Sequence, residues 1–444
     1  MAETAIRGMV TRRQRWAWYL YDFGNSAYAA VVLLAVYSAY FQGKVVGGAE
    51  GSRLWGLSVG IAMLVVAVIS PVLGAIADYS ASKKRFLLLF TVISCAFTGA
   101  LFFVGEGDVW KGMIFFVLAE IGYRSAQVFY NGLLPEIAAP EEMGRISGNG
   151  WAIGSAGGIV CLVLILPLIS LVGGTAIIRL SLLITAAFYA VFSIPIFLWL
   201  PERGRPQPLP RGETYLWVGF RRLWRTVRSA RQYQELVKFL GAFLVYNDGV
   251  IMALDFAAII GAVLFGLNQQ QLIIFVIIVQ VTNVAGAWAF GAVADATDCK
   301  RSLSFSILLL VAVVVWMYLS RTVLEFFIIG AVAGFAMAGI QSVSRTMVGV
   351  ITPPRQSAQF YGLFAVAGRT SSFVGPAVYG WVAAEAARAH MAQGMAPLLA
   401  EQGGQRLAIL TIGLFLVAGL VLLWTMNEAR ARATVRALAP VPGD

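Results

Sequence analysis

The side chains able to do chemistry are few, and most of them sit inside long apolar runs. Residues 111–132 carry Glu120, Arg124, Gln127 and Asn131 at spacing i, i+4, i+7 and i+11. That spacing holds all four on one helical face. Glu120 and Arg124 can pair within the helix, and a proton or an anionic ligand could break the pair. The arrangement suits ion coupling or substrate binding at a cavity wall, and equally a self-contained pair that fixes helix packing. Residues 16–41 bring Tyr21, Asp22, Asn25 and Tyr28 roughly to one face, with Asp22 near enough to the helix end to act as a gate. Residues 237–264 hold Tyr246, Asn247, Asp248 and, one heptad on, Asp255, a carboxylate that burial could make protonatable. Gly249 could loosen that helix and free carbonyls for a ligand. Gln280 and Asn283, at i and i+3, offer uncharged contacts to a ligand or to another helix. Arg369 lies near the centre of 359–383, beside Thr370, Ser371 and Ser372. Its guanidinium can hold a carboxylate through two hydrogen bonds, or serve as counter-ion to Asp248 or Asp255.

Conventional catalysis lacks its parts. His390 is the only histidine, read as a solvated loop residue, and Cys95, Cys161 and Cys299 are scattered. No metal-ligand spacing, disulfide framework, Ser/His/Asp set or phosphate loop appears. The sequence therefore predicts no enzyme, no metal site and no cofactor. The glycines of 154–158 fall within an apolar run, where they suit helix contact better than phosphate binding.

These residues need elements to position them, and composition says which. The chain has 444 residues, 59% hydrophobic and only 12% charged. Its mean hydropathy is +0.79. A soluble domain carries about 25% charged residues, so the solvent here is largely lipid. Twelve segments reach the roughly 20 apolar residues that a membrane helix needs. They are 16–41, 54–78, 86–105, 111–132, 147–172, 177–200, 237–264, 270–294, 302–320, 324–348, 359–383 and 406–426. The run after Arg12, Arg13 and Arg15 is too long for a signal peptide and reads as a retained first span. Between the sixth and seventh segments, 201–236 begins as a Pro/Gly-rich linker. It continues as an expected basic amphipathic helix with Trp217, Phe220 and Trp224 on its apolar face.

Charge orients the spans. Of 33 Lys and Arg, 23 fall on the side holding both termini and 7 on the other, with Arg124, Arg345 and Arg369 inside spans. The positive-inside rule then places both termini in the cytoplasm. It also explains the formal net charge of +11 without nucleic acid, the basic loops resting on an anionic leaflet.

The two halves repeat. GAIADYSASKKR (74–85) closes the second span and GAVADATDCKR (291–301) the eighth. Tyr21 and Tyr246, and Pro135 and Pro353, form two further pairs, and the offsets stay close to the 217 that separates Asp78 from Asp295. A duplicated six-span unit with a long central loop, and a Gly-x-x-x-Asp loop followed by basic residues in both halves, resembles the major facilitator superfamily. That resemblance implies an all-α membrane fold of twelve transmembrane helices in two pseudo-symmetric six-helix bundles, with a ligand site between them. The boundaries expected are 1–200 and 237–426 for the bundles, 201–236 for the linker and 427–444 for a cytoplasmic tail. The resemblance also implies a cytoplasmic gate at the signature loops. Asp78 and Asp295 can meet a helix N-terminus or an arginine. Lys83, Lys84 and Arg85 can meet headgroups or the neighbouring half, with Arg145, Lys300 and Arg301 in the corresponding basic loops. Arg345, near the cytoplasmic end of the tenth span, can meet Asp295.

WYLYDFGNSAYA (18–29), ISPVLGAIADY (69–79), FYNGLLPEIA (129–138), YNDGV (246–250), QSVSR (341–345) and AQFYGLFAVAGRTSSFVGP (358–376) resemble the vacuole-effluxer family. This family comprises autophagy-related vacuolar amino-acid effluxers and their bacterial relatives. Its members are expected to have lysine where Arg369 stands, which keeps the charge and changes the geometry. The resemblance implies a secondary transporter that exports a small polar solute, an amino acid foremost, by alternating access. The mixed signs of the buried charges suit a zwitterion, and proton coupling would run through Glu120 or Asp255. Export of an amphiphile, and a non-transporting receptor or assembly factor, remain open. The partners expected are the bilayer, a small-molecule substrate and protons, for a monomer in a bacterial cytoplasmic (inner) membrane.

Overall fold

The computed structural model describes residues 10–46, 48–172, 174–204, 206–207, 214–215, 217–218, 221, 233–267 and 269–437. Side chains at 48–53, 170, 258, 262, 269–270, 273, 355 and 369–373 are excepted. Among the described residues there is no strand. The long helices are α1 (Arg12–Val46), α2 (Gly48–Ser80), α3 (Lys83–Ala100), α4 (Val109–Gly132), α5 (Met143–Val172) and α6 (Thr175–Trp199). They continue as α7 (Gln234–Phe265), α8 (Gln269–Ala296), α9 (Cys299–Leu319), α10 (Val323–Ile351), α11 (Ser357–Ala392) and α12 (Pro397–Trp424). All twelve apolar segments are therefore helices. Among the described residues, ten of these helices are long and apolar enough to cross a membrane. The other two are α4 and α11, on which the sequence places Glu120, Arg124 and Arg369.

Local chemistry sets the ends. Thr11 and Gln14 form a reciprocal capping box that starts α1. Midway, α1 widens into π turns over Ala29–Ala35, where the Val36 N–H reaches back five residues to the Val31 carbonyl at 2.8 Å. Two elements depart from expectation. The Ala-rich stretch after 382 carries α11 to Ala392, so His390 lies in its last turn and not in a loop. The tail holds a further helix, α13 (Glu428–Ala437), started by Asn427, which accepts from the Arg430 N–H at 3.0 Å. Of the linker's expected amphipathic helix, Phe220 and Trp224 lie outside the described residues.

Two compact units emerge. One comprises 1–228, 352–366 and 440–444, and the other 229–351 and 367–439. The first ten residues of α11 thus belong with the N-terminal helices. In the first unit α1 packs on α5 and α6, α2 on α4, and α3 on α4 and α6. In the second, α7 packs on α12, α8 on α10, and α9 on α10 and α12. Four of these pairings recur six helices later, which is the duplication expressed in packing.

The α1–α5 crossing has no slack. A Cβ on Gly157 would lie 2.0 Å from the Phe23 carbonyl oxygen, a backbone atom that cannot turn aside. Gly157→Ala is expected to cost at least the upper end of the roughly 1–3 kcal/mol typical of overpacking. Its readout is a reduced monodisperse yield and a lower thermal midpoint in detergent. Wild-type values would show that the helices can part there.

Candidate functional site

In the first unit, the polar stripe of α4 meets the tyrosines of α1. Arg124 Nε donates to Glu120 Oε1 at 2.6 Å. Glu120 is fully buried, while the Arg124 side chain keeps 24% exposure. The second Glu120 oxygen makes no hydrogen bond of ordinary geometry, and the buried Tyr28 hydroxyl lies beside that carboxylate, close enough to interact with it. The Tyr28 ring stacks on Tyr123 at 4.5 Å, and the Arg124 guanidinium sits 5.1 Å from the Tyr123 ring centre. Buried polar groups are rarely left unsatisfied, so this cluster stands out. Asn25 Nδ2 and Asn131 Oδ1 are also buried without a hydrogen bond. Gln127 is half-buried on the same helix.

Asp22 is buried where α1 meets α5, in the space that a Gly154 Cβ would fill. Beside it, the Tyr21 hydroxyl is hydrogen-bonded to Thr91 and to Tyr189, each at 2.8 Å, tying α1 to α3 and α6. Tyr28 is on the polar face expected of the first span, whereas Tyr123 and Tyr189 were not singled out as ligands in the sequence.

In the second unit, Asp248 is buried and accepts the Gly375 N–H of α11 at 2.9 Å. Its neighbours are similarly engaged, Tyr246 with Ser344 at 2.7 Å and Asn247 with Gln341 at 3.1 Å. The helix runs unbroken through Asp248 and Gly249, so the loosening expected there does not occur. Gly249 instead admits Leu416 of α12. Asp255 lies at the surface of α7, within its apolar span. Asn283 donates to Gln280 at 3.5 Å along α8. The side chains of Arg369, Thr370, Ser371 and Ser372 lie outside the described residues.

The signature loop of the first half forms a dense junction with the start of α11. Asp78 accepts the N–H groups of Ala358 at 3.2 Å and Gln359 at 2.8 Å. Its carboxylate therefore caps α11, where the helix dipole favours negative charge. Lys83 Nζ lies 3.2 Å from Asp78 and 2.7 Å from Glu136, and it donates to Ser357 Oγ at 2.7 Å. Ser357 in turn donates to the Gly132 carbonyl at 2.6 Å. Gly74 lets α2 come this close, since a Cβ there would sit 2.4 Å from the Ala358 carbonyl oxygen.

Lys83 is thus buried, not reaching for headgroups, because two carboxylates draw it inward. Lys84 turns to the end of α6, donating to the Phe197 and Leu200 carbonyls. Only Arg85 of the three is exposed. Nearby, burial raises the Glu202 carboxyl above its ordinary range, while the N–H groups of Lys83 and Lys84 pull it back. Glu136 and Ser357 went unmarked in the sequence, although both fall in or beside the motifs quoted above.

The second loop is built differently. Asp298 caps α9 through the Arg301 N–H at 2.6 Å, and Glu428 of α13 accepts the Lys300 N–H at 2.7 Å. Lys300 Nζ donates to the Trp424 and Met426 carbonyls at the end of α12. Arg301 pairs with Asp298, and Arg145, in the first unit, lies 3.5 Å from Glu142. Arg345 is buried and Asp295 half-buried.

Comparison with known proteins follows the same lines. The family described as "Vacuole effluxer Atg22 like" matches residues 55–436. This chain belongs to that family. An uncharacterized MFS-type transporter of Bacillus subtilis (strain 168), YxiO, is 29% identical over 375 residues, covering 82% of this chain and 87% of that one. Autophagy-related protein 22-1 of Penicillium rubens is 28% identical over 258 residues. That match covers 53% of this chain but only 44% of the fungal protein. Among solved structures, a bacterial homologue of the iron transporter ferroportin in an outward-facing state has a TM-score of 0.66 at 12% identity. It is matched over 94% of this chain and 99% of that one. The proton:xylose symporter XylE has a TM-score of 0.64, also at 12% identity, over 96% and 97%. Likeness at that identity concerns the fold alone. This vacuole-effluxer family member is a multi-pass membrane protein with the major facilitator fold, and its family and fold are those of transporters, not enzymes.

Proposed function

We propose that this protein exports a small polar organic solute, an amino acid, by alternating access and in exchange for protons. The observation that carries the reading is the Glu120–Arg124 pair, buried against Tyr28 and Tyr123 with the Tyr28 hydroxyl beside its carboxylate. A carboxylate so placed can take a proton or an ammonium group, and Arg124 can then turn to a carboxylate. Asp248 and Arg369 serve the second bundle. The bundles span 1–200 and 237–426, joined by the 201–236 linker and followed by the 427–444 tail. They work as a monomer with both termini in the cytoplasm of a bacterial inner membrane. The Asp78 junction is a gate that holds the start of α11 while the cytoplasmic side is closed, and the Asp295 loop with Arg345 is its counterpart.

Counterflow into amino-acid-loaded liposomes tests this. Wild type should exchange labelled amino acid, and net efflux of the loaded pool should acidify the lumen in step. Asp248→Asn and Arg369→Ala should each slow exchange by about tenfold or more, the loss of one charge-assisted contact. No exchange of any amino acid, or unchanged rates in both variants, overturns the assignment. Exchange of a lysolipid or a lipophilic drug instead would point to amphiphile export.

A further inference from the structure

At the end of the second unit that carries the loop between α8 and α9, a groove of about 860 Å³ opens between α9, the end of α12 and α13. Its floor comes from one face of α9, where Arg301, Ser304, Phe305 and Leu308 stand at i, i+3, i+4 and i+7. Trp424 forms the opposite edge and donates from Nε1 to Ser304 Oγ at 3.2 Å. The wall is apolar and uncovered, Phe305 being 60% exposed, Leu308 46% and Trp424 54%. The rim is basic. Arg301 keeps 79% of its side chain exposed although its Nε lies 3.1 Å from Asp298. Arg432 reaches in from α13.

The acidic residues at the rim are already engaged by protein groups. Glu428 accepts the N–H groups of Cys299 and Lys300 and the Arg432 guanidinium. Asp298 accepts the Arg301 N–H and pairs with its side chain. Lys300 is turned to the last carbonyls of α12. Arg301 and Arg432 are the partners of those two carboxylates, but with Lys300 the cations lining the groove outnumber its carboxylates. The exposed Arg301 stands above a wall of apolar side chains that runs along a membrane helix, with an interfacial tryptophan at its edge. An amino acid has no use for such a wall, and a soluble anion would gain nothing from it.

We propose that this groove is a binding site for a single anionic phospholipid, with the phosphate and headgroup at Arg301 and Arg432 and an acyl chain along Phe305 and Leu308. Basic pockets between membrane helices commonly hold such headgroups. The occupant is separate from the transported solute. Because α13 forms one edge, the bound lipid pins the tail to the α9 loop.

Native mass spectrometry of the full chain in detergent, with phosphatidylglycerol or phosphatidylethanolamine added, tests the site. One phosphatidylglycerol should stay bound at activation energies that strip phosphatidylethanolamine. Arg301→Glu should weaken its retention by about thirtyfold, from roughly 1 kcal/mol per surface charge, counted twice for a reversal. Phe305→Ala should weaken it too. Arg388→Glu, near the far end of α11, should leave it unchanged. If Arg301→Glu does not fold, Arg301→Gln replaces it, with a smaller loss expected. Equal retention of both lipids, or unchanged retention in the Arg301 variants, overturns the proposal. So does competition by glycerol 3-phosphate at the lipid's own concentration, which would mark a phosphate site with no role for the wall. None of these outcomes depends on transport.

Discussion

Arg124→Gln is expected to destabilise the protein more than Glu120→Gln, although both break the same pair. The first leaves a fully buried carboxylate without its cation. Breaking a buried pair in this way costs roughly 3–5 kcal/mol. The second leaves a guanidinium with 24% of its side chain exposed and an aromatic ring beneath it. Exposure and the Tyr123 face both soften that loss. The double variant Glu120→Gln/Arg124→Gln should recover most of the stability, since two neutral amides can bond to each other across the same turn. Thermal midpoints of the four proteins measure the coupling. Transport should not recover with stability. If the double variant both folds and exchanges solute at the wild-type rate, the pair is a packing device and the substrate site lies elsewhere.

Lys83→Met should be the most damaging single change outside that pair. It leaves Asp78 and Glu136 buried beside each other with no cation between them, and it removes the donor that engages Ser357. A loss of roughly 3–5 kcal/mol corresponds to a thermal midpoint lower by roughly 3–5 °C for a chain of 444 residues. Lys83→Arg should not rescue it, because a planar fork does not fit a site built around one compact charge with partners in several directions. Replacing Asp78 and Glu136 by Asn and Gln in the Lys83→Met background should restore part of the midpoint, since no charge is then stranded. The start of α11 would still lack its carboxylate cap, so exchange should remain slow. A Lys83→Met protein with an unchanged midpoint would mean that the buried cation contributes nothing net.

Much of this was legible in the chain. A period of 3.6 residues puts Glu120 within reach of Arg124, whatever the rest of the molecule does. The apolar runs determined the twelve helices because the membrane leaves the backbone no other way to satisfy its hydrogen bonds. The repeated Gly-x-x-x-Asp loops located a junction at Asp78. The family followed from motifs spread over the whole length, and residues 55–436 bear it out.

What the chain did not disclose depends on residues far apart in sequence. Glu136 and Ser357 stand 53 and 274 positions from the lysine they share, and no local pattern links them. Tyr28 and Tyr123 become a stacked pair only when α1 and α4 are brought together. The two signature loops look alike in sequence, yet one caps α11 while the other is bound to α12 and α13. Likewise the burial of Asp248 against a backbone amide and the exposure of Asp255 are decided by which side of α7 meets a neighbour. Helix-forming runs and i, i+4 pairs are short-range consequences of covalent geometry and solvent. Caps, counter-ions and burial are set by which helix ends meet, and tertiary packing alone chose those.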